Sequence, residues 1–292
     1  MKVALVSGRG AGAIDWVLQD LQFGLQQVRP EWTVDLVRFA GKVYADLGFD
    51  GYDVVHLGYA AYTLVKGLAF DVPLTSNVWH VVPSRLPYFR DLLSPIGFAR
   101  IIVDDIGSLQ MLGQAGFTQI TPIPMAFNPD RYSRLSPPEV PFTVGCFGED
   151  TNEKRFDIVR RACREAEVLC YMMVPPVDRK VFLLDPVEDV YSQIHVLAHA
   201  SFLDTNCRPG LEALACGVPV LSTLNEGMRR VSNGGNVTFY DGSVQDLATK
   251  IREVKGKYNW HRECAAYTSF PSLEMIALKY VEVFEKIVEE AQ

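Results

Sequence analysis

Arg208-Pro-Gly-Leu-Glu-Ala-Leu-Ala-Cys-Gly-Val-Pro-Val-Leu221 reads from left to right as a helix start, a short helix, a glycine stop and a buried strand. Pro209 suits the first turn of a helix, where its missing N–H costs little, and Gly217 suits the residue just past the end. The apolar run Val218 to Leu221 has no alternation, as in a parallel strand covered on both faces. Upstream, Asp204-Thr-Asn-Cys207 supplies a strand end and a loop, so the segment is one turn of a strand–helix–strand unit.

Working outward, the same rhythm fills the chain. Val3 to Ser7 precedes a helical stretch from Ile14 to Val28, and Val54 to Leu57 precedes Tyr59 to Lys66. A strand near Leu74 to Val82, helical stretches around Tyr88 to Leu93 and Ile106 to Ala115, and strands at Ile101 to Val103 and Ile120 to Ile123 complete one doubly wound unit. Between Asn128 and Pro141 the pattern lapses into NPDRYSRLSPPEVP, where proline cannot continue a helix. The rhythm restarts with Phe142 to Phe147, Lys154 to Ala166, Val168 to Val174, Val181 to Leu184, a helix over Val187 to Ala198, and Phe202 to Asp204. It continues past the opening segment with Val237 to Tyr240 and Val244 to Val254. The fold class is therefore α/β, with Rossmann-like domains over residues 1–132 and 141–272. A helix over 273–292 carries an apolar stripe (Ile276, Tyr280, Val283, Phe284, Ile287) that must be covered, and the first domain is the expected cover.

Composition narrows the function. The chain has 292 residues, 48% of them hydrophobic and 22% charged, enough for two cores and unlike a disordered chain. With a formal net charge of -7 and its 28 Lys and Arg dispersed, it lacks the basic stripe that a nucleic-acid partner requires. No cleavable leader pattern opens the sequence and no apolar run approaches about 20 residues. A cytoplasmic location, with room for peripheral membrane contact, is the expectation, and the acceptor motif Asn236-Val237-Thr238 is then never glycosylated. Six cysteines without C-x-x-C or zinc spacing read as reduced, buried thiols. His195 and His199 stand four apart on one predicted helix, a spacing that puts both on one face, but no acidic third ligand lies nearby and no metal is expected.

Parallel sheets bind ligands at the carboxyl ends of their strands, where helix starts present amides to anions. One such loop is Ser7-Gly8-Arg9-Gly10-Ala11-Gly12-Ala13, whose glycines allow close backbone approach; it is a poor dinucleotide fingerprint, and a tight structural turn is the bland alternative. The other is the opening segment. There the amides of Gly210 and Leu211 would face a phosphate, Arg208 would add charge, and the Glu212 carboxylate would accept bonds from sugar hydroxyls.

The stretch Glu212-Ala-Leu-Ala-Cys-Gly-Val-Pro-Val220 resembles the E-A-M-A-C-G-V-P-V signature of retaining GT-B glycosyltransferases, the group 1 glycosyl transferases. Ile120 to Tyr132 is similar to that family's interdomain V-I-P-N-G-V-D-P-x-R-F, Phe147-Gly148 with Lys154 to its V-G-R-L-x-x-x-K-G, and Leu224 to Val231 to its G-G-I-P-E-I-V. The resemblance implies GT-B architecture, two Rossmann-like domains facing a cleft that closes about residues 128 to 141. The activity implied is transfer of a sugar from a nucleotide diphosphate donor, UDP or GDP, to a sugar, lipid or protein acceptor with retention, and no cofactor. By the same resemblance Glu212 holds the donor ribose, Lys154 the diphosphate beside Gly148, and the Gly210 and Leu211 amides the phosphate nearest the sugar. His80 lies where the family places a histidine near the transferred sugar, although a strand-end histidine also has purely structural uses. Gly10 and Gly12 face the donor phosphates or the acceptor, and the base meets a loop near Leu183 to Pro186. Three features depart from the pattern. Asp204 stands where the family has its first motif glutamate, and a strand end is its other reading; the segment before Glu212 is shortened; Glu149 replaces an arginine. These departures motivate an alternative, a nucleotide-sugar-binding protein without catalysis. A dinucleotide-dependent oxidoreductase is the remaining alternative.

Overall fold

Val3, Ala4, Leu5 and Val6 are wholly buried, as a parallel strand covered on both faces must be. They form the middle of β1 (Lys2–Ser7). In the computed structural model β1 lies in a parallel sheet with β2 (Thr33–Arg38), β3 (Val54–Leu57), β4 (Leu74–Asn77), β5 (Arg100–Val103) and β6 (Ile120–Pro122), in the order β2-β1-β3-β4-β5-β6. The structure describes residues 1–7, 13–38, 49–58, 71–79, 81, 85–148, 154–173, 188–201 and 207–292. The glycine loop 8–12, the helical stretch 59–66, the strands 181–184 and 202–204 and the base loop 183–186 lie outside these residues.

The first compact unit comprises Met1–Asn128 and Pro271–Gln292. Its helices are α1 (Ala13–Val28), α2 (Leu86–Leu93), α3 (Ile106–Gln114) and the C-terminal helix (Leu273–Ala291). The C-terminal helix lies against α1 across Gly24, where an added Cβ would stand 3.1 Å from both Ala277 Cβ and Leu273 Cγ. Its stripe buries Ile276, Ala277, Tyr280, Val281, Val283, Phe284 and Ile287. Beneath it sits a polar layer. The Tyr280 hydroxyl donates to Asn77 Oδ1 at 2.9 Å, and the His56 ring meets Tyr280 edge to face, centroids 5.4 Å apart. His56 Nδ1 pairs with Thr75 Oγ1 at 2.8 Å, while complete burial pushes its pKa down to about 3.

The second unit is Pro129–Phe270. Its strands β7 (Thr143–Phe147), β8 (Leu169–Met173), β9 (Val196–His199), β10 (Val220–Thr223) and β11 (Val237–Tyr240) form a parallel sheet ordered β11-β10-β9-β7-β8. Its helices are α4 (Phe156–Glu165), α5 (Glu188–Tyr191), α6 (Arg208–Ala215), α7 (Glu226–Val231), α8 (Val244–Gly256) and α9 (Tyr258–Ala266). The α4 face with Phe156, Val159, Ala162 and Cys163 and the α8 face with Leu247, Ala248, Ile251 and Val254 share one core with Val144, Val196 and Leu221. The pattern is that of amphipathic helices laid on a sheet. All six cysteines are free thiols, four of them buried. Among the described residues no helix is long and apolar enough to cross a membrane.

The structure corrects one helix. Residues 187–198 were expected to be helical, with His195 and His199 on one face; only Glu188–Tyr191 is helical, and Val196–His199 is the strand β9. A strand buried on both faces has no alternation, so its apolar run can be mistaken for a helix. His195 instead accepts from the Thr143 N–H at Nδ1, 3.1 Å away, and packs against Phe142 and Tyr258. Burial lowers its pKa. Asn236 is fully buried, its amide donating to Val231 O and Thr268 Oγ1.

Candidate functional site

In the second sheet the chain runs from β7 to its neighbour β8 on one side and then returns to lay β9 on the other. The carboxyl ends of β7 and β9 therefore flank the topological switch point, where doubly wound sheets take ligands. Two helices start there. Past β7 comes Gly148, at φ +132, a backbone conformation that only glycine adopts without strain; its N–H donates to Met173 O at 3.3 Å. Lys154, half-buried, and Arg155, at φ +50, then lead into α4.

Past β9 the chain enters α6 through Cys207, at φ +39. Pro209 occupies the first turn and the helix begins at Arg208, two residues before the start near Gly210 that the sequence suggests. At its end Gly217 adopts φ +77, and the Val218 N–H returns to Ala213 O at 2.8 Å, closing the helix by the usual left-handed cap. The Gly210 and Leu211 amides donate to Cys207 O at 2.8 and 3.2 Å, so both take part in the first turn. Gly210 has a packing reason as well: an added Cβ would lie 2.7 Å from Met228 Sδ and 2.8 Å from Cys207 Sγ.

Glu212 is the centre of the site. Its Oε1 accepts from Arg208 Nε at 2.9 Å and from the Tyr132 hydroxyl at 3.2 Å. Its Oε2 faces the Tyr191 hydroxyl at 2.9 Å. Arg208 Nη2 in turn donates to the Tyr132 oxygen at 3.3 Å. The side chains of Arg208 and Glu212 are only 5% and 13% exposed, so the ion pair is desolvated and each charge depends on the other. Burial, and next the Glu212 charge, push the Tyr191 phenol well above its ordinary pKa. Its single proton therefore stays in place and belongs on the carboxylate, the stronger acceptor, rather than on Pro209 O, 3.0 Å away. The Tyr191 ring packs edge-on against Phe147 at the end of β7, centroids 5.4 Å apart. It thus joins the ends of both strands to the carboxylate.

The structure brings Glu212 and Arg208 together and sets Gly148, Lys154, Gly210 and Leu211 on the two helix starts. Asp204, His80, Gly10 and Gly12 lie outside the described residues. Tyr132 and Tyr191 escape the sequence reading. Tyr132 closes the 120–132 stretch and is carried into the second unit by the short turn Pro129–Arg131; Tyr191 ends a helix of four residues and has no local motif to mark it. Among the described residues no group of three or more His, Cys, Asp or Glu is arranged to hold a metal ion.

No family model matches the chain, and no curated protein matches it by sequence. Several solved structures match it over nearly their whole length. HepE from Anabaena, in complex with UDP-glucose, is 15% identical with a TM-score of 0.68, each chain covered to 99%. Sucrose-phosphate synthase from Thermosynechococcus elongatus is also 15% identical, with a TM-score of 0.73 and 99% of each chain covered. AviGT4, a glycosyltransferase involved in avilamycin A biosynthesis, is 17% identical with a TM-score of 0.65, covering 99% of this chain and 98% of its own. At these identities the likeness is one of fold. The two parallel-sheet α/β domains are those of the GT-B glycosyltransferases.

Proposed function

We propose that this chain is a retaining glycosyltransferase that moves a sugar from a nucleotide diphosphate donor to an acceptor hydroxyl. The observation that carries the reading is the buried carboxylate of Glu212, held by Arg208, Tyr132 and Tyr191 beside the switch point of the second sheet. It lies within a fold shared with a HepE that binds UDP-glucose. Retention rests on the resemblance of residues 212–220 to the group 1 signature.

In this reading Glu212 holds the donor ribose, and Gly148 lets the backbone pass close to the diphosphate. Lys154 and the α4 and α6 starts stabilise the charge that develops as the diphosphate leaves. Arg208 contributes by fixing Glu212, since its Nε is already committed to that carboxylate. Asp204 and His80 are assigned to the transferred sugar, and Gly10 and Gly12 to the donor phosphates or the acceptor. The departing phosphate takes the acceptor proton, so no separate general base is required of the protein.

Donor turnover followed by proton NMR tests the proposal. Wild type should consume a UDP- or GDP-sugar, by transfer or slow hydrolysis, and release the sugar with its anomeric configuration kept. Glu212→Ala should abolish this and Asp204→Asn weaken it. Binding of the donor with no turnover under any acceptor would favour the non-catalytic binding protein instead, and an inverted product would refute retention.

A further inference from the structure

A carboxylate has about four acceptor positions, two on each oxygen. Glu212 Oε1 already accepts two hydrogen bonds, from Arg208 Nε and from Tyr132 Oη. Oε2 accepts one, from Tyr191 Oη. One position is left, on Oε2. Three of the four donors a carboxylate can take are therefore supplied by the protein itself.

None of the three is readily displaced. The Arg208 guanidinium is the counter-charge of a pair whose side chains are 5% and 13% exposed, and removing it strands the carboxylate. The Tyr191 side chain is 2% exposed and its ring is packed against Phe147. Tyr132 is fixed from both sides, donating to Glu212 and accepting from Arg208 Nη2.

We infer that Glu212 takes a single ribose hydroxyl, on Oε2, rather than the 2′,3′-diol as a pair, and that Tyr132 and Tyr191 are the residues that set this limit. The inference rests on the nucleotide reading of the site. It makes the protein selective at one ribose position and tolerant at the other. A hydroxyl that donates to a carboxylate is worth roughly ten-fold or more in affinity, and a hydroxyl that meets only solvent is worth almost nothing.

The test is calorimetric titration of the full chain with UDP and GDP, then with the 2′-deoxy and 3′-deoxy forms of whichever binds. One of the two deoxy nucleotides should bind roughly ten-fold or more weakly, and the other within about two-fold of the parent. Tyr132→Phe frees the second position on Oε1 and should make both deoxy nucleotides bind more weakly than the ribonucleotide. Melting temperatures confirm that the variant is folded. Equal losses for both deoxy forms with wild type, or no loss for either, overturn the single-hydroxyl inference while leaving nucleotide binding intact. Failure of both UDP and GDP to bind overturns the nucleotide reading of the site, and this inference with it.

Discussion

The Arg208–Glu212 pair should behave as one unit, and a double-mutant cycle makes that quantitative. The two groups are 2.9 Å apart with side chains 5% and 13% exposed. At an effective dielectric of about 20 their attraction is about 6 kcal/mol before desolvation is subtracted. Arg208→Met leaves the carboxylate with two tyrosine donors and no counter-charge, a loss of about 3 kcal/mol, the low end for a broken buried pair. Glu212→Met strands a more deeply buried guanidinium, at a cost of about 4 kcal/mol. The double substitution removes both charges and replaces them with apolar groups, and should cost only about 1 kcal/mol. Hydrogen exchange of the full chain, read from peptides of β10, reports the second unit separately from the first. Each single variant should exchange roughly a hundred-fold faster than wild type, while the double variant should stay within about ten-fold. If the double variant instead lost the sum of the two single losses, the groups would be uncoupled and the account of the site would fail at its centre.

Acid sensitivity should come from the first unit. The folded pKa of His56, about 3, lies below its ordinary value of 6.5, so the unfolded chain binds the proton first; stability is lost as pH falls below about 6.5, by about 2 kcal/mol between pH 7 and pH 5. His56→Asn should remove that part of the slope in urea titrations at the two pH values, and an unchanged slope would assign it elsewhere. Tyr280→Phe deprives Asn77 Oδ1 of its donor, beside an Asn77 Nδ2 that already lacks a partner; a loss of about 1–3 kcal/mol is expected, and a neutral effect in thermal unfolding would contradict it. Gly145→Ala places a Cβ 2.6 and 2.8 Å from Ile194 Cδ1 and Cγ2 and should destabilise the second unit by about 1–3 kcal/mol, with partial recovery when Ile194→Val is added.

How much of this was legible in the sequence differs from element to element. The α6 segment was open to reading because Pro209 and Gly217 punctuate it, and punctuation is local chemistry. β9 was misread because both of its faces are covered, so Val196 to His199 carry no period of two. β2 was passed over for the opposite reason: as an edge strand it needs little apolar surface, and only Val34 within it is buried. At the site, Glu212 and Arg208 are four residues apart on one helix and follow from spacing alone. Tyr132 and Tyr191 reach the same carboxylate from 80 and 21 residues away, through a tertiary fold that no local pattern encodes.

The central claim is that a nucleotide sugar binds at Glu212. Titration of wild type and of Glu212→Ala with UDP- and GDP-sugars, each variant first shown to be folded, addresses it most directly. The account predicts saturable binding of at least one donor to wild type and a loss of roughly ten-fold or more in the variant. Binding by neither protein, or equal binding by both, would contradict it.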